Sequence, residues 1–391
     1  MKIAFLCTSL APGRDGVGDY VRQLAAACAE HGHVCLLVAL HDRHLAPSAA
    51  LLQRTNEVRL AASLSWSRRA AMLTDLLRDF EPHWVSWQIV AYGFHPKGIL
   101  PPGSFALIDS TRLWENHVTL HELWLGLAQR DRLRMKVVGA LQRRRLLAFL
   151  RHLRPACVHT TNPAYQLALA HHGWPSELLP LFGNMPVLPV KPYLARAELT
   201  DLFGQSFPQK PGWIGVIFGT IHPQWRPEPT LNFLRAVSEH SGQSIALLAL
   251  GRSGAHGAKL LSELSGARSG ISGISLFVAG PQTPERISHV LQAADFGLAT
   301  HPWALIEKSG TTATLLEHGL PVLVPRDDWQ LRHGTITRAH DPLLRRMADL
   351  SPESFARWLA ERRDPTSLLP VIAAKFLAHL GGPVPRGALV A

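Results

Sequence analysis

A chain of 391 residues, 47% hydrophobic and 18% charged, is too long for one ordinary domain. It fits two domains of about 180 residues, each able to bury a core, and its composition excludes a disordered protein. The net charge of +11 calls for a phosphate-rich partner, whether nucleic acid, anionic membrane or nucleotide.

The chain opens with an apolar run at 2–7, followed at once by glycines, an arginine and two aspartates, which reads as a buried first strand rather than a signal peptide. Residues 19–31 follow as a helix, with Tyr20, Val21, Leu24, Ala25 and Cys28 on one face. A strand at 33–40, an amphipathic helix at 67–80, and strands at 84–88 and 117–121 come next. Residues 129–154 hold eight arginines and a lysine against one aspartate, and read as one long basic helix or a pair. Short strands at 156–160 and 178–181 complete the first half. Pro180, Pro186, Pro189 and Pro192 punctuate a stretch, 182–210, that reads as an inter-domain linker. The alternation then restarts, with strands at 213–219, 244–250, 274–279, 296–299 and 321–325 and helices at 229–239, 284–293 and 310–318. Continuous apolar strands between helices predict parallel sheets covered on both faces.

This gives domains over 1–190 and 205–391, with the last helix able to return to the first domain. Both are doubly wound, Rossmann-like α/β units facing a central cleft, and ligands of such sheets bind beyond the carboxyl ends of the strands. No run reaches the ~18–20 apolar residues of a membrane span. Cys7, Cys28, Cys35 and Cys157 form no CxxC pair, as expected of reduced thiols in a cytoplasmic protein.

Four motifs sit at predicted strand ends. Gly16, Gly18, Asp19 and Tyr20 open the first helix, where glycines allow close backbone approach and a helix N-terminus favours an anion; the pattern falls short of GxGxxG. His121, in Thr119-Leu120-His121-Glu122, can bond a sugar hydroxyl or exchange a proton. Glu307-Lys308-Ser309-Gly310-Thr311 precedes a helix ending before Gly319. There free N–H groups and a lysine suit a diphosphate, and a carboxylate suits sugar hydroxyls. Gly219 and Thr220 follow the first strand of the second unit, with Arg226 and Arg252 as candidate phosphate ligands. Trp87, Gln88, Tyr92, Phe94 and His95 read as lining the acceptor side.

Over nearly its whole length the sequence resembles the retaining glycosyltransferases of the GT-B fold, in the family 4-like group. GVGDY resembles that family's acceptor-side loop and THELW its strand-end histidine, which contacts the donor sugar. EKSGTTATLLEHGLPVLVP resembles its donor motif. The family's second donor glutamate falls on Thr314 and its first on Ile306, with Glu307 one residue off and Glu317 a turn beyond. Thr220 and Trp225 stand where its arginine and lysine are expected.

The resemblance implies transfer of a sugar from a nucleotide diphosphate to a carbohydrate or glycolipid acceptor. His121, Glu307 and Lys308 would be catalytic. Gly219, Thr220, Arg226, Arg252, Ser309, Gly310, Thr311, Thr314 and Glu317 would hold the donor. Gly16, Gly18, Asp19, Tyr20, Gln88, Tyr92 and His95 would lie on the acceptor side. No DxD pair occurs, in keeping with a metal-independent reaction without cofactor. Segment 129–154 resembles the membrane-docking helix of such enzymes, peripheral on an inner, anionic leaflet. A same-fold epimerase and a non-catalytic nucleotide-sugar binder remain open. A nucleic-acid partner is not expected, because the sequence carries no recognised nucleic-acid-binding motif.

Overall fold

The computed structural model describes residues 1–46, 49–204, 207–208, 212–266, 273–337 and 340–381. The chain divides into two units. Unit 1 comprises Met1–Pro180, Leu331–Ile336 and the segment from Leu369 on; unit 2 comprises Leu181–Gln330 and Thr337–Leu368.

Unit 1 is built on strands β1 (Lys2–Cys7), β2 (Val34–Asp42), β3 (Leu51–Gln53), β4 (Glu57–Ala61), β5 (Trp84–Ile89), β6 (Glu115–Leu120), β7 (Cys157–Thr160) and β8 (Glu177–Leu178). Their order is β3-β4-β2-β1-β5-β6-β7-β8, parallel throughout except for the β3–β4 pair at one edge. Its helices are α1 (Gly16–Glu30), α2 (Trp66–Phe80), α3 (Ala91–Phe94), α4 (Phe105–Asp109), α5 (Leu133–Leu153) and α6 (Pro163–Ala170). The basic segment is thus one helix, stopped at Arg154, which takes φ 51. Asp15 caps α1 by accepting N–H bonds from Val17 and Gly18, both at 2.9 Å.

Unit 2 holds helices α7 (Pro192–Phe203), α8 (Pro227–Ser241), α9 (Gly254–Gly266), α10 (Pro284–Ala293), α11 (Gly310–Glu317) and α12 (Pro352–Leu359). Its strands are β9 (Trp213–Phe218), β10 (Ile245–Leu250), β11 (Ile274–Gly280), β12 (Phe296–Leu298), β13 (Val322–Val324) and β14 (Leu344–Arg346). They form one parallel sheet in the order β11-β10-β9-β12-β13-β14. Both faces are buried, as β10 illustrates. Ala246, Leu248 and Leu250 enter one core cluster, whereas Ile245, Leu247 and Ala249 enter the other. Each such leucine removed from water contributes roughly 1.5–3 kcal/mol.

The expected linker is not one. Pro192 occupies the first turn of α7, where a missing N–H costs nothing, so the proline starts a helix instead of breaking one. Ala195 and Leu199 enter the unit 2 core, and Glu198 pairs with Arg286 at 2.7 Å. Positions 205, 206, 209 and 210 of that stretch lie outside the described residues. After β14 and α12, the chain returns to unit 1 as α13 (Leu369–His379), where Phe376 stacks on Phe5 at 5.6 Å.

Candidate functional site

In unit 2 the loops after β9, β10, β12 and β13 converge at the carboxyl end of the sheet. Gly219 ends β9 with φ +73, donates to Leu250 O at 2.8 Å, and lies so close to α11 that a Cβ would sit 2.6 Å from Thr311 Cγ2. Only glycine fits that combination of handedness and contact. Ser309 caps α11 through Thr312 N–H at 3.2 Å, and its hydroxyl lies 2.9 Å from that of Thr311. A Cβ built on Gly310 would meet nothing within 4 Å, so the first turn of the helix is open. Lys308 closes the short turn Trp303–Lys308 immediately before the cap.

Two residues join this cluster that the motifs had not identified. Arg326, just past β13, is 6% exposed. It holds Asp328 at 2.8 Å, Gln224 Oε1 at 3.1 Å and His222 Nδ1 at 2.7 Å. Two donors, Arg326 and the Gln224 N–H, therefore fix Nδ1 of His222 as an acceptor and leave its proton on Nε2. His301, past β12, meets the His222 ring edge-on at 5.5 Å. Burial, then the neighbouring Arg326 and Lys308, lowers His222 to about 4. Burial, then His222, Lys308 and Arg326, does the same for His301. The cluster thus combines a lysine, an arginine held by Asp328, neutral imidazoles and helix N–H groups, a donor-rich arrangement that suits an anion.

The remaining expected donor residues fall in different places. Thr220, Arg226 and Arg252 are exposed in the loops after β9 and β10. Glu307 lies 3.2 Å from His340 Nδ1. Thr314 is fully buried, with its hydroxyl accepting from Asn184 N–H at 3.1 Å. Glu317 is 2% exposed, and its carboxylate accepts N–H bonds from Gly183 and Leu368, each at 2.9 Å. Both side chains brace the helix against neighbouring loops. Trp225, where the resemblance expects a cation, is a core residue whose Nε1 donates to Thr230 at 3.2 Å.

In unit 1, His121 follows β6 and donates from Nε2 to Gln88 Oε1 at 2.8 Å, leaving Nδ1 as the acceptor of a neutral ring. Burial holds its pKa down at about 4. Tyr20 meets that ring edge-on at 5.0 Å. Gly18 serves packing: a Cβ there would lie 2.3 Å from Ser9 O, whereas one on Gly16 would meet nothing within 4 Å. Asp19 accepts from the Gly13 N–H at 3.1 Å, Tyr92 O from Gln142 at 3.0 Å, and His95 Nδ1 from Lys97 N–H at 3.2 Å. Trp87 and Phe94, expected at the acceptor side, are interior, at 0% and 4% exposure. Trp87 packs edge-on against Phe149.

No family model matches the chain, and no curated protein matches it by sequence. Solved structures do. Anabaena HepE, in complex with UDP and glucose, is 13% identical with TM-score 0.56, covering 98% of this chain and 100% of its own. The catalytic domain of Arabidopsis thaliana starch synthase IV, bound to ADP and acarbose, is 11% identical with TM-score 0.55, covering 97% and 98%. Sucrose-phosphate synthase from Thermosynechococcus elongatus is 16% identical with TM-score 0.54, covering 97% and 95%. The fold is that of the GT-B glycosyltransferases, with two Rossmann-like parallel-sheet units.

Proposed function

We propose that this protein is a glycosyltransferase whose unit 2 holds the diphosphate of a nucleotide sugar, in the manner of the retaining family 4-like enzymes. The observation that carries the reading is the gathering of Lys308, Arg326, His222 and the open first turn of α11 around Gly219. Structures of this fold with UDP or ADP bound support it. In the reaction, the bond from the anomeric carbon to the diphosphate breaks and a bond from the acceptor hydroxyl forms on the same face. The hydroxyl proton passes to the leaving phosphate. The leaving oxygens gain charge as this happens, so cations and N–H groups already in place stabilise the transition state more than the ground state. No metal ion is required in this scheme. His121, with Nδ1 free to accept, suits a sugar hydroxyl.

The acceptor in this reading is a carbohydrate or glycolipid, reached from an anionic inner-leaflet surface. Leu133, Val137 and Leu141 lie one turn apart on α5 and are 77%, 56% and 51% exposed, beside exposed Arg134, Arg144 and Arg145. That pattern suits an interfacial helix. No described helix is long and apolar enough to cross a membrane. A nucleotide-sugar binder without turnover is the second reading, favoured by the burial of Trp225 where a cation is expected.

Calorimetric titration with UDP, GDP, ADP and their common sugars tests the donor site. Micromolar binding of one nucleotide is expected. Lys308→Ala should weaken it and cut turnover by about 100-fold or more, with an unchanged circular dichroism spectrum. Failure of every nucleotide to bind would sink the proposal. Binding without turnover on an acceptor panel would favour the second reading.

A further inference from the structure

A second cluster of chemistry-bearing side chains lies in unit 1, away from the carboxyl end of its sheet. β6 and β7 pair with His117 opposite Cys157. Alternation then puts Cys157 and His159 on the same face, and β8 places Glu177 opposite His159. This face is covered by α13, whose Phe376 packs edge-on against His117 at 5.2 Å. His117, Cys157 and His159 each bring a donor atom to within 4.8 Å of the others. Cys157 Sγ is 3.8 Å from His159 Nε2, and His379 Nδ1 is 2.6 Å from the same nitrogen.

His117 Nε2 lies 2.8 Å from His159 Nδ1, and Ser86 Oγ lies 2.9 Å from His117 Nδ1. Each imidazole–imidazole bond needs one donor and one acceptor, so the rings share protons as neutral bases, the form that ligates metal. His117 and His159 are both 0% exposed, so this hydrogen-bonded run beside a thiol lies largely inside the unit.

We propose that His117, Cys157 and His159 form a binding site for a borderline-soft divalent cation, with Zn²⁺ the best match, and that His379 supplies the nearest fourth donor. A sulfur-and-imidazole donor set selects such ions over magnesium or calcium. Metal–nitrogen and metal–sulfur bonds of about 2.0 and 2.3 Å place tetrahedral donors about 3.3–3.6 Å apart, inside the range from 2.6 Å between His159 and His379 to the 4.8 Å within which the donors of His117, Cys157 and His159 lie. Because His117 meets Nδ1 of His159 whereas Cys157 and His379 meet its Nε2, closing the site takes side-chain rotation of His117, His159 and His379. On binding, the Cys157 S–H bond breaks, its proton leaves to solvent and a metal–thiolate bond forms, with no redox change. The site would be structural, clamping α13 to the sheet edge. It is independent of the donor site in unit 2 and of the metal-free transfer proposed there.

The test uses the full chain, stripped with a chelator and titrated with Zn²⁺ and with Co²⁺. One equivalent of zinc should be retained after gel filtration, and cobalt should give a thiolate-to-metal charge-transfer band. Cys157→Ser should abolish the band, and His379→Gln should weaken zinc binding by about 10- to 100-fold. A folded wild-type chain with no thiolate band overturns the proposal whatever the variants do. So does zinc retained equally by wild type and Cys157→Ser.

Discussion

Single atoms separate glycines that sequence groups together. Gly16 and Gly18 belong to one motif, yet only Gly18 has a backbone oxygen where its Cβ would stand. Gly18→Ala should therefore cost about 1–3 kcal/mol or more, while Gly16→Ala stays within about 0.5 kcal/mol. Equal urea midpoints for the two variants would show that the helix does not need that close approach. Arg326 shows the converse. It was not legible in sequence because a lone arginine after a short strand carries no motif. The position itself, one residue beyond Pro325 at a strand end, was the available signal. His301, two residues past Ala299, was hidden among 21 histidines for the same reason.

At the scale of elements, hydrophobic period and strand-end glycines located most of both sheets, because buried parallel strands are continuous apolar runs. The loop before α11 was legible because Ser309, Gly310 and Gly319 mark both ends of that helix. What escaped includes the β3–β4 hairpin, α7 behind its prolines, and α9 and α12 in unit 2, whereas the return of the last helix, α13, to unit 1 was expected. The basic helix α5 and its place at the surface were both expected, but periodicity did not say which of its apolar residues face protein: Leu146, Leu147 and Leu150 are buried, whereas Leu133, Val137 and Leu141 are exposed. With that stripe outward, the chain should sediment with vesicles rich in anionic lipid and not with neutral ones. Leu133→Ser with Val137→Ser should reduce that binding by about 10-fold at unchanged stability. Co-sedimentation that ignored lipid charge would rule out the electrostatic part.

For the whole molecule, burial leaves many histidines neutral in the native state. His121, His222 and His301 are held at about 4 and His159 at about 3. Their unfolded value is about 6.5, so between that pH and about 4 the unfolded chain binds more protons than the native one. Stability should be full above about pH 6.5 and decline steadily below it. Asp15, Asp295 and Glu317, raised by burial, act in the opposite sense but are fewer. Urea midpoints of metal-free protein from pH 7.5 to 4.5 check this, and a flat profile would show that these rings are accessible to protons.

The return of α13 to unit 1 has a consequence for synthesis. The side chains that seat Phe376, among them Phe5 and His117, leave the ribosome with the first third of the chain, but their cover arrives only after all of unit 2. Domains generally fold as they emerge, amino end first. Here the first unit must wait, with an apolar sheet face uncovered, for some two hundred further residues at ~5–20 residues per second. A nascent chain arrested before residue 369 should therefore be a chaperone client, and should lose that character once α13 is released.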